Sequence, residues 1–380
     1  METKERFELK IRLLLNLINN GYLRDKRLLK AFLEEKLTDF IPKRHALKAR
    51  IYEDAPSLFY FDRKNPENLR TISAPHMISI MLQGLVLGED DDLLILGAKS
   101  GYIAALAHKL SPKGKIVILE ANSKIAKITE RNLDKLNYKN IEVIVKNPLD
   151  GLVEKSPWQK ILVTGAIKQE RIYPLLKQLD PKSGVLFAPI GEDIIQTYTQ
   201  ILRLDNNFYG KKQLQVRFTP LITDIELDDL ELIIDFDDLE ICEDFDSTTN
   251  RMAHLNCKNI SITYASEILD DIELKPFSKF ESLKIDLNDV AVVFLENINQ
   301  TIDILKKEEN VNYGINGINN IETQIRVLKR FNKDLNLNLN EIQNILNQIS
   351  FRNKQPQDFD NLREKVNNEL KKLKINISIK

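Results

Sequence analysis

The chain has 380 residues, 43% of them hydrophobic, and a formal net charge of −1. Those values describe a globular protein long enough for more than one domain, with no overall basic field to attract nucleic acid. No apolar run approaches the roughly 20 residues that span a bilayer, so no membrane association is expected. The opening METKERFELK is charged where a secretory signal needs an apolar core. Cys242 and Cys257 are too few for a disulfide framework and lack metal-ligand spacing. The cytoplasm is the expected compartment, and no metal is expected.

Residues Lys4 to Lys36 read as two helices broken at Asn19-Asn20-Gly21, with Phe7, Ile11, Leu14, Leu15 and Ile18 at helical spacing. This helical preface, residues 1–40, is expected to pack beside a sheet. Tyr60 to Arg70 is rich in charge and has no strong period, which predicts a loop over a substrate cleft. Thr71-Ile72-Ser73-Ala74-Pro75-His76-Met77 follows, and Pro75 predicts a helix starting there. Leu93 to Leu96 is an apolar run suited to a buried parallel strand, closed by the turn Gly97-Ala98-Lys99-Ser100-Gly101. A helix over Tyr102 to Leu110 and a strand over Ile116 to Leu119 ending in Glu120 complete the unit. Strand, glycine turn, helix, strand, acid is the pattern of a nucleotide-binding α/β unit. There the turn admits a ligand to the backbone, and the acid can accept the hydroxyls of a ribose.

The alternation continues with a helix from Lys124 to Leu136 and strands at Ile141 to Val145 and Lys160 to Val163. A helix at Tyr173 to Leu179 and a strand at Val185 to Pro189 come next. Two final strands, near Gln196 to Leu204 and Gln213 to Leu221, are joined by Asp205-Asn206-Asn207 and Gly210, a hairpin signal. From Asp224 to Asp246 there are twelve acids and no base, read as an acidic linker or solvated edge, with docking of a basic partner as the sharper alternative. Ile260 to Tyr264 and Leu283 to Leu287 are candidate strands. From Asp289 helices dominate, with Val293, Leu295, Ile298, Ile302 and Leu305 on a buried face and Asn-rich breaks near 310–320 and 332–340. The expected divisions are 1–40, a catalytic domain at 41–222, an acidic and mixed segment at 223–288, and a helical domain at 289–380 for a partner or self-association.

The motif TISAPHM before the strand, the GAKSGY turn, Asn132-Leu133, Asp150-Gly151, Thr164-Gly165-Ala166, Gln178-Leu179, Pro189-Ile190-Gly191, Gln196 and Gln215 to Phe218 together resemble the protein-L-isoaspartate O-methyltransferase family. The resemblance covers roughly 41–222. It implies a Rossmann-like class I methyltransferase fold: a mostly parallel α/β sheet with a C-terminal antiparallel hairpin, here followed by a mainly helical domain. It also implies S-adenosylmethionine as cofactor and, as substrate, the free carboxylate of isoaspartyl residues in damaged proteins, with no membrane or nucleic-acid partner. Ser73 matches the active-site serine, with Thr71 and Ile72 beside it in the substrate segment; an N-cap is the plainer role for Ser73. Gly97, Lys99, Ser100 and Gly101 match the cofactor turn, Glu120 the ribose-binding acid, and Asn147 the residue at the adenine. The chain departs from the pattern at Lys99, where the family has glycine, and at Ile95, where it has an acid. Those departures leave an alternative: a non-catalytic or weakly catalytic relative that binds damaged proteins and recruits a partner through its C-terminal domain.

Overall fold

The computed structural model describes residues 1–46, 50–64, 69–192, 194–222, 260–264, 275–349, 351 and 354–379. The acidic stretch 224–246, both cysteines and His254 lie outside the described residues. Two compact units are distinguished: one comprises residues 37–51 and 55–282, the other 1–36, 52–54 and 283–380.

The first unit is built on an eight-stranded sheet. Its strands are β3 (Leu93–Leu96), β4 (Ile116–Glu120), β5 (Ile141–Val145), β6 (Lys160–Val163), β7 (Gly184–Gly191), β8 (Gln196–Leu204), β9 (Asn207–Val216) and β10 (Ile262–Tyr264), in the order β10-β9-β8-β7-β6-β3-β4-β5. From β5 through β7 all neighbours pair in parallel, while β7, β8 and β9 pair antiparallel as the expected closing hairpin. β3, β4 and β6 are buried along their length, which is why they read as unbroken apolar runs rather than alternating ones. The order reverses between β3 and β6, the switch point where ligands of open α/β sheets bind.

Three local expectations are revised. The region expected as a loop over 60–70 is bounded by a hairpin, β1 (Ser57–Phe61) against β2 (Leu69–Ile72); the aromatic run SLFYF, with Phe59 and Tyr60 buried, is what forms its first strand. β9 starts directly after the turn at Asp205-Asn206, so Gly210 lies inside it. A Cβ there would stand 2.8 Å from the Tyr264 ring of β10, and the glycine makes room for a neighbouring strand rather than a turn. Ile262–Tyr264 is a strand as expected, whereas 283–286 is irregular and Leu287 begins a helix.

The second unit is helical. The N-terminal helices Lys4–Asn19 and Lys26–Glu34 belong to it and pack against the helices Val311–Arg330 and Leu287–Lys307 respectively. Leu287–Lys307 is apolar on nearly every side from Val290 to Leu295, as a central core helix must be, and all five residues of its expected face are buried. The break expected near 310–320 is confined to 308–310. Helix Val311–Arg330 follows directly, with Asn310 capping the Tyr313 N–H at 3.0 Å. Gly314 and Gly317 lie within that helix because side chains fill their places: a Cβ would stand 2.2 Å from the Phe351 ring and 2.6 Å from Leu305.

Candidate functional site

The carboxyl ends of β3, β4, β5 and β6 carry most of the residues singled out from the sequence. Gly97 ends β3 at φ 93°, and a Cβ there would meet Thr164 Oγ1, at the end of β6, at 2.4 Å. Lys99, Ser100 and Gly101 follow with φ of 41°, 64° and 87°, three consecutive left-handed residues of which only one is glycine. The turn is held from behind. Ser100 is buried; its hydroxyl donates to the Phe40 carbonyl and accepts from Asn132 Nδ2 at 2.9 Å. The same amide donates to the Ser100 carbonyl at 3.2 Å. A Cβ at Gly101 would stand 3.2–3.3 Å from the Leu133 and Thr129 side chains. The Asn132-Leu133 pair thus seats the turn from the next helix.

Gly101 is also the N-cap of helix Tyr102–Leu110, with no side-chain capping bond. Its first backbone N–H groups therefore face the carboxyl edge without a capping side chain, the arrangement that favours an anion. Glu120 is buried at the end of β4. Its Oε2 accepts from the Ala98 N–H at 2.9 Å and its Oε1 from the Asn122 N–H at 3.0 Å. Two backbone donors aim the carboxylate and leave lone pairs for further donors such as hydroxyls. Asn147 follows β5, where its carbonyl caps the Leu149 N–H at 3.0 Å and can still accept a second bond. Ile95, standing where the family has an acid, is buried inside β3 between Ile118 and Leu162, so its position is filled by core packing.

Ser73 is buried immediately before helix Pro75–Gly84, and β2, which ends at Ile72, lies against the Lys99–Gly101 turn. The N-cap of that helix is Ala74, without a side-chain bond, so the capping role considered for Ser73 is filled one residue later. Thr71 is half-buried and Ile72 fully buried. The segment Thr71 to Ser73 and the glycine turn are therefore neighbours.

Two features were not legible beforehand. The chain after β9 returns to the switch point: Ala166 N–H donates to Thr219 O and Leu221 N–H to Ala166 O, both at 2.9 Å. There Leu221 and Ile222 pack with Ala121 and Leu149 as an apolar cluster beside Gly97. The second feature is Asp150, whose Oδ2 is buried with no hydrogen-bond partner among the described residues. Burial pushes its carboxyl above the usual range, against the pull of Lys146 and Arg171. Its backbone carbonyl is held by Gln178 Nε2 at 2.8 Å, while Gln178 Oε1 accepts from the Leu152 N–H at 2.7 Å, which accounts for Gln178 in the motif set.

Taken as a donor set, these groups fit S-adenosylmethionine: a carboxylate acceptor for ribose hydroxyls, an apolar cluster suited to a base, and a helix start with Lys99 for a carboxylate. Comparison with known proteins points the same way. The family described as Protein-L-isoaspartate(D-aspartate) O-methyltransferase matches residues 8–226. The protein-L-isoaspartate O-methyltransferase of Methanococcus vannielii is 32% identical over 214 residues, 55% of this chain and 95% of the relative. That of Ignicoccus hospitalis is 32% identical over 226 residues, 59% of this chain and all of the relative (100%). A solved protein-L-isoaspartate O-methyltransferase structure is similar with a TM-score of 0.50 at 27% identity, covering 56% of this chain and 65% of the other. These relatives carry an enzyme's name, and the non-catalytic reading gains no support from them.

Proposed function

The chain belongs to the protein-L-isoaspartate O-methyltransferase family, S-adenosylmethionine-dependent methyltransferases, and from that premise we propose that it methylates the free carboxylate of isoaspartyl residues in damaged proteins, in the cytoplasm. The observation that carries this reading is the adjacency of Ser73, at a helix start without a side-chain cap, to the glycine turn of the switch point. When bound, S-adenosylmethionine supplies an electrophilic methyl group on a sulfonium.

The residues then have simple tasks. A carboxylate with a pKa of about 4 is already ionised at neutral pH, so no side chain has to remove a proton from it. Ser73 and the first N–H groups of helix Pro75–Gly84 hold the anion and fix which oxygen faces the methyl group, catalysis by orientation. Thr71 and Ile72 shape the same segment. Gly97 and Gly101 allow the turn backbone to approach the cofactor, Ser100 braces that turn, and Lys99 is assigned to the cofactor carboxylate. Glu120 takes the ribose hydroxyls and Asn147 the adenine edge. After esterification, attack by the neighbouring backbone amide nitrogen expels methanol and closes a succinimide, whose hydrolysis returns part of the chain to normal aspartate.

Transfer of labelled methyl from S-adenosylmethionine to an isoaspartyl peptide, with the aspartyl peptide as control, tests this. Label on the isoaspartyl peptide alone is expected. Absence of label from both, in protein that binds the cofactor, would overturn the reading.

A further inference from the structure

Ile194 and Ile195 expose 70% and 57% of their surface on the connection between β7 and β8. The connection is pinned where it re-enters the sheet. Gln196 Nε2 donates to the Glu192 carbonyl at 2.6 Å, and Gln196 Oε1 accepts from the Phe218 N–H at 2.8 Å. A buried glutamine thus holds a turn whose two adjacent aliphatic side chains reach into water.

Their position relative to Ser73 follows from packing. Helix Pro75–Gly84 lies on β7 and β8, since a Cβ at Gly84 would stand 2.6 Å from the Phe187 ring and Gln200 Nε2 donates to the Gly84 carbonyl at 2.7 Å. Its last residue leads through 85–92 to the first residue of β3 at the amino edge, so its first residue points to the carboxyl edge. Ten helical residues rise about 15 Å, and Phe187 to Gly191 advances about 13 Å. The helix start, with Ser73 before it, and Ile194-Ile195 therefore both lie at the carboxyl edge, beyond the end of β7, the strand on which the helix packs.

We infer that Ile194 and Ile195 form a ledge that sets substrate preference, seating an apolar side chain next to the isoaspartyl residue whose carboxylate Ser73 holds. The inference rests on the methyl-transfer reading above for the identity of the occupant. An extended peptide advances about 3.4 Å per residue, so residues flanking the modified one pass within reach of a surface beside Ser73. Damaged segments that have lost their packing carry apolar side chains into water, and the ledge selects those.

The test uses the full chain saturated with S-adenosylhomocysteine and two fluorescent isoaspartyl peptides of equal length, flanked by valine or by serine. Anisotropy is expected to show the valine peptide bound about 10-fold more tightly, the scale of discrimination a small apolar pocket gives. Ile194→Ser with Ile195→Ser should abolish that preference, and Ile194→Leu with Ile195→Leu should keep it, all with equal affinity for S-adenosylmethionine. Equal binding of both peptides by the unaltered protein, binding of neither, or a preference undiminished in the serine variant would overturn the ledge. Turnover is read separately: binding of the valine peptide without its methylation rejects the methyl-transfer reading and leaves the ledge standing.

Discussion

The two edges of the same sheet are built in opposite ways. At the amino edge polar groups are answered by near neighbours: Lys115 N–H by Asp92 at 2.7 Å, Gly88 N–H by Asp91 at 2.7 Å, and the Asp91 carbonyl by Ser111 Oγ at 2.8 Å. Lys160, buried there, has its ammonium pKa pushed down by burial and partly restored by Asp91 at 3.6 Å. At the carboxyl edge three consecutive residues stand in the left-handed region, two helices start without side-chain caps, a carboxylate oxygen is buried without a partner among the described residues, and two isoleucines face water. Both edges close the same apolar strands, so the contrast is not about holding the sheet together. Strain and unanswered polarity collect where a ligand is to be met.

The sharpest way to separate the edges is to damage each and ask what is lost. Gly114→Ala at the amino edge would place a Cβ 2.0 Å from the Asp91 carbonyl oxygen. It is expected to cost about 3 kcal/mol of stability by overpacking while leaving S-adenosylmethionine affinity unchanged in the folded fraction. Denaturant unfolding and calorimetry check the two halves of that statement. Glu120→Ala at the carboxyl edge should instead cost about 2 kcal/mol of cofactor affinity, roughly 30-fold. It should also cost about 1–3 kcal/mol of stability, because it leaves the buried Ala98 N–H and the part-buried Asn122 N–H without their carboxylate acceptor. Unchanged cofactor affinity in that variant would remove Glu120 from the site and blur the distinction.

A smaller effect is expected at Asp150. Its folded carboxyl titrates above the ordinary 3.8 because it is buried. Below that value both folded and unfolded chains hold the proton and there is no penalty. As pH rises through the folded pKa the unfolded chain binds fewer protons, so stability falls and then levels off. Asp150→Asn does not titrate and should melt a few degrees higher than the unaltered protein at pH 7, with the advantage vanishing towards pH 3. An advantage of equal size at both pH values would mean that packing, not charge, is the cause.

How much of this was legible follows the range of each interaction. The strand, turn, helix and acid around Gly97 to Glu120 were legible because the steric demands are met within thirty residues. So was the helix that begins at Pro75, directly after Thr71 to Ala74. Leu221 and Ile222 were not, because their place beside Gly97 depends on a chain return from more than a hundred residues away. A glycine misled at Gly210, since a glycine that admits the Tyr264 ring looks the same in sequence as one that turns the chain. The N-terminal helices were recognised as helices, but amphipathic spacing says only that a face is buried and not against what. Their partners lie about 300 residues on, with Lys4 to Glu322 at 3.3 Å and Arg326 to Glu8 at 2.6 Å marking the rim of the contact.

The finest test of the contrast is Lys99. A lysine at φ 41° costs about 1 kcal/mol relative to glycine, and the family's own choice at this position is glycine. Relief of that strain in Lys99→Gly is offset by the greater freedom glycine has in the unfolded chain, so stability should change by less than about 1 kcal/mol. Cofactor affinity decides what the strain is for. If Lys99 is held there to bond the cofactor carboxylate, the glycine variant loses a charge-assisted hydrogen bond and binds about 5-fold more weakly. If the lysine is an obstacle, the variant gains close backbone approach and binds more tightly. The first outcome is expected, because the bracing of the turn by Asn132, the two glycines that flank Lys99 and the seated carboxylate of Glu120 are all intact. Titration of both proteins with S-adenosylmethionine distinguishes the cases: tighter binding by the variant makes the strain at this edge a defect, and binding by neither rejects the methyl-transfer reading itself.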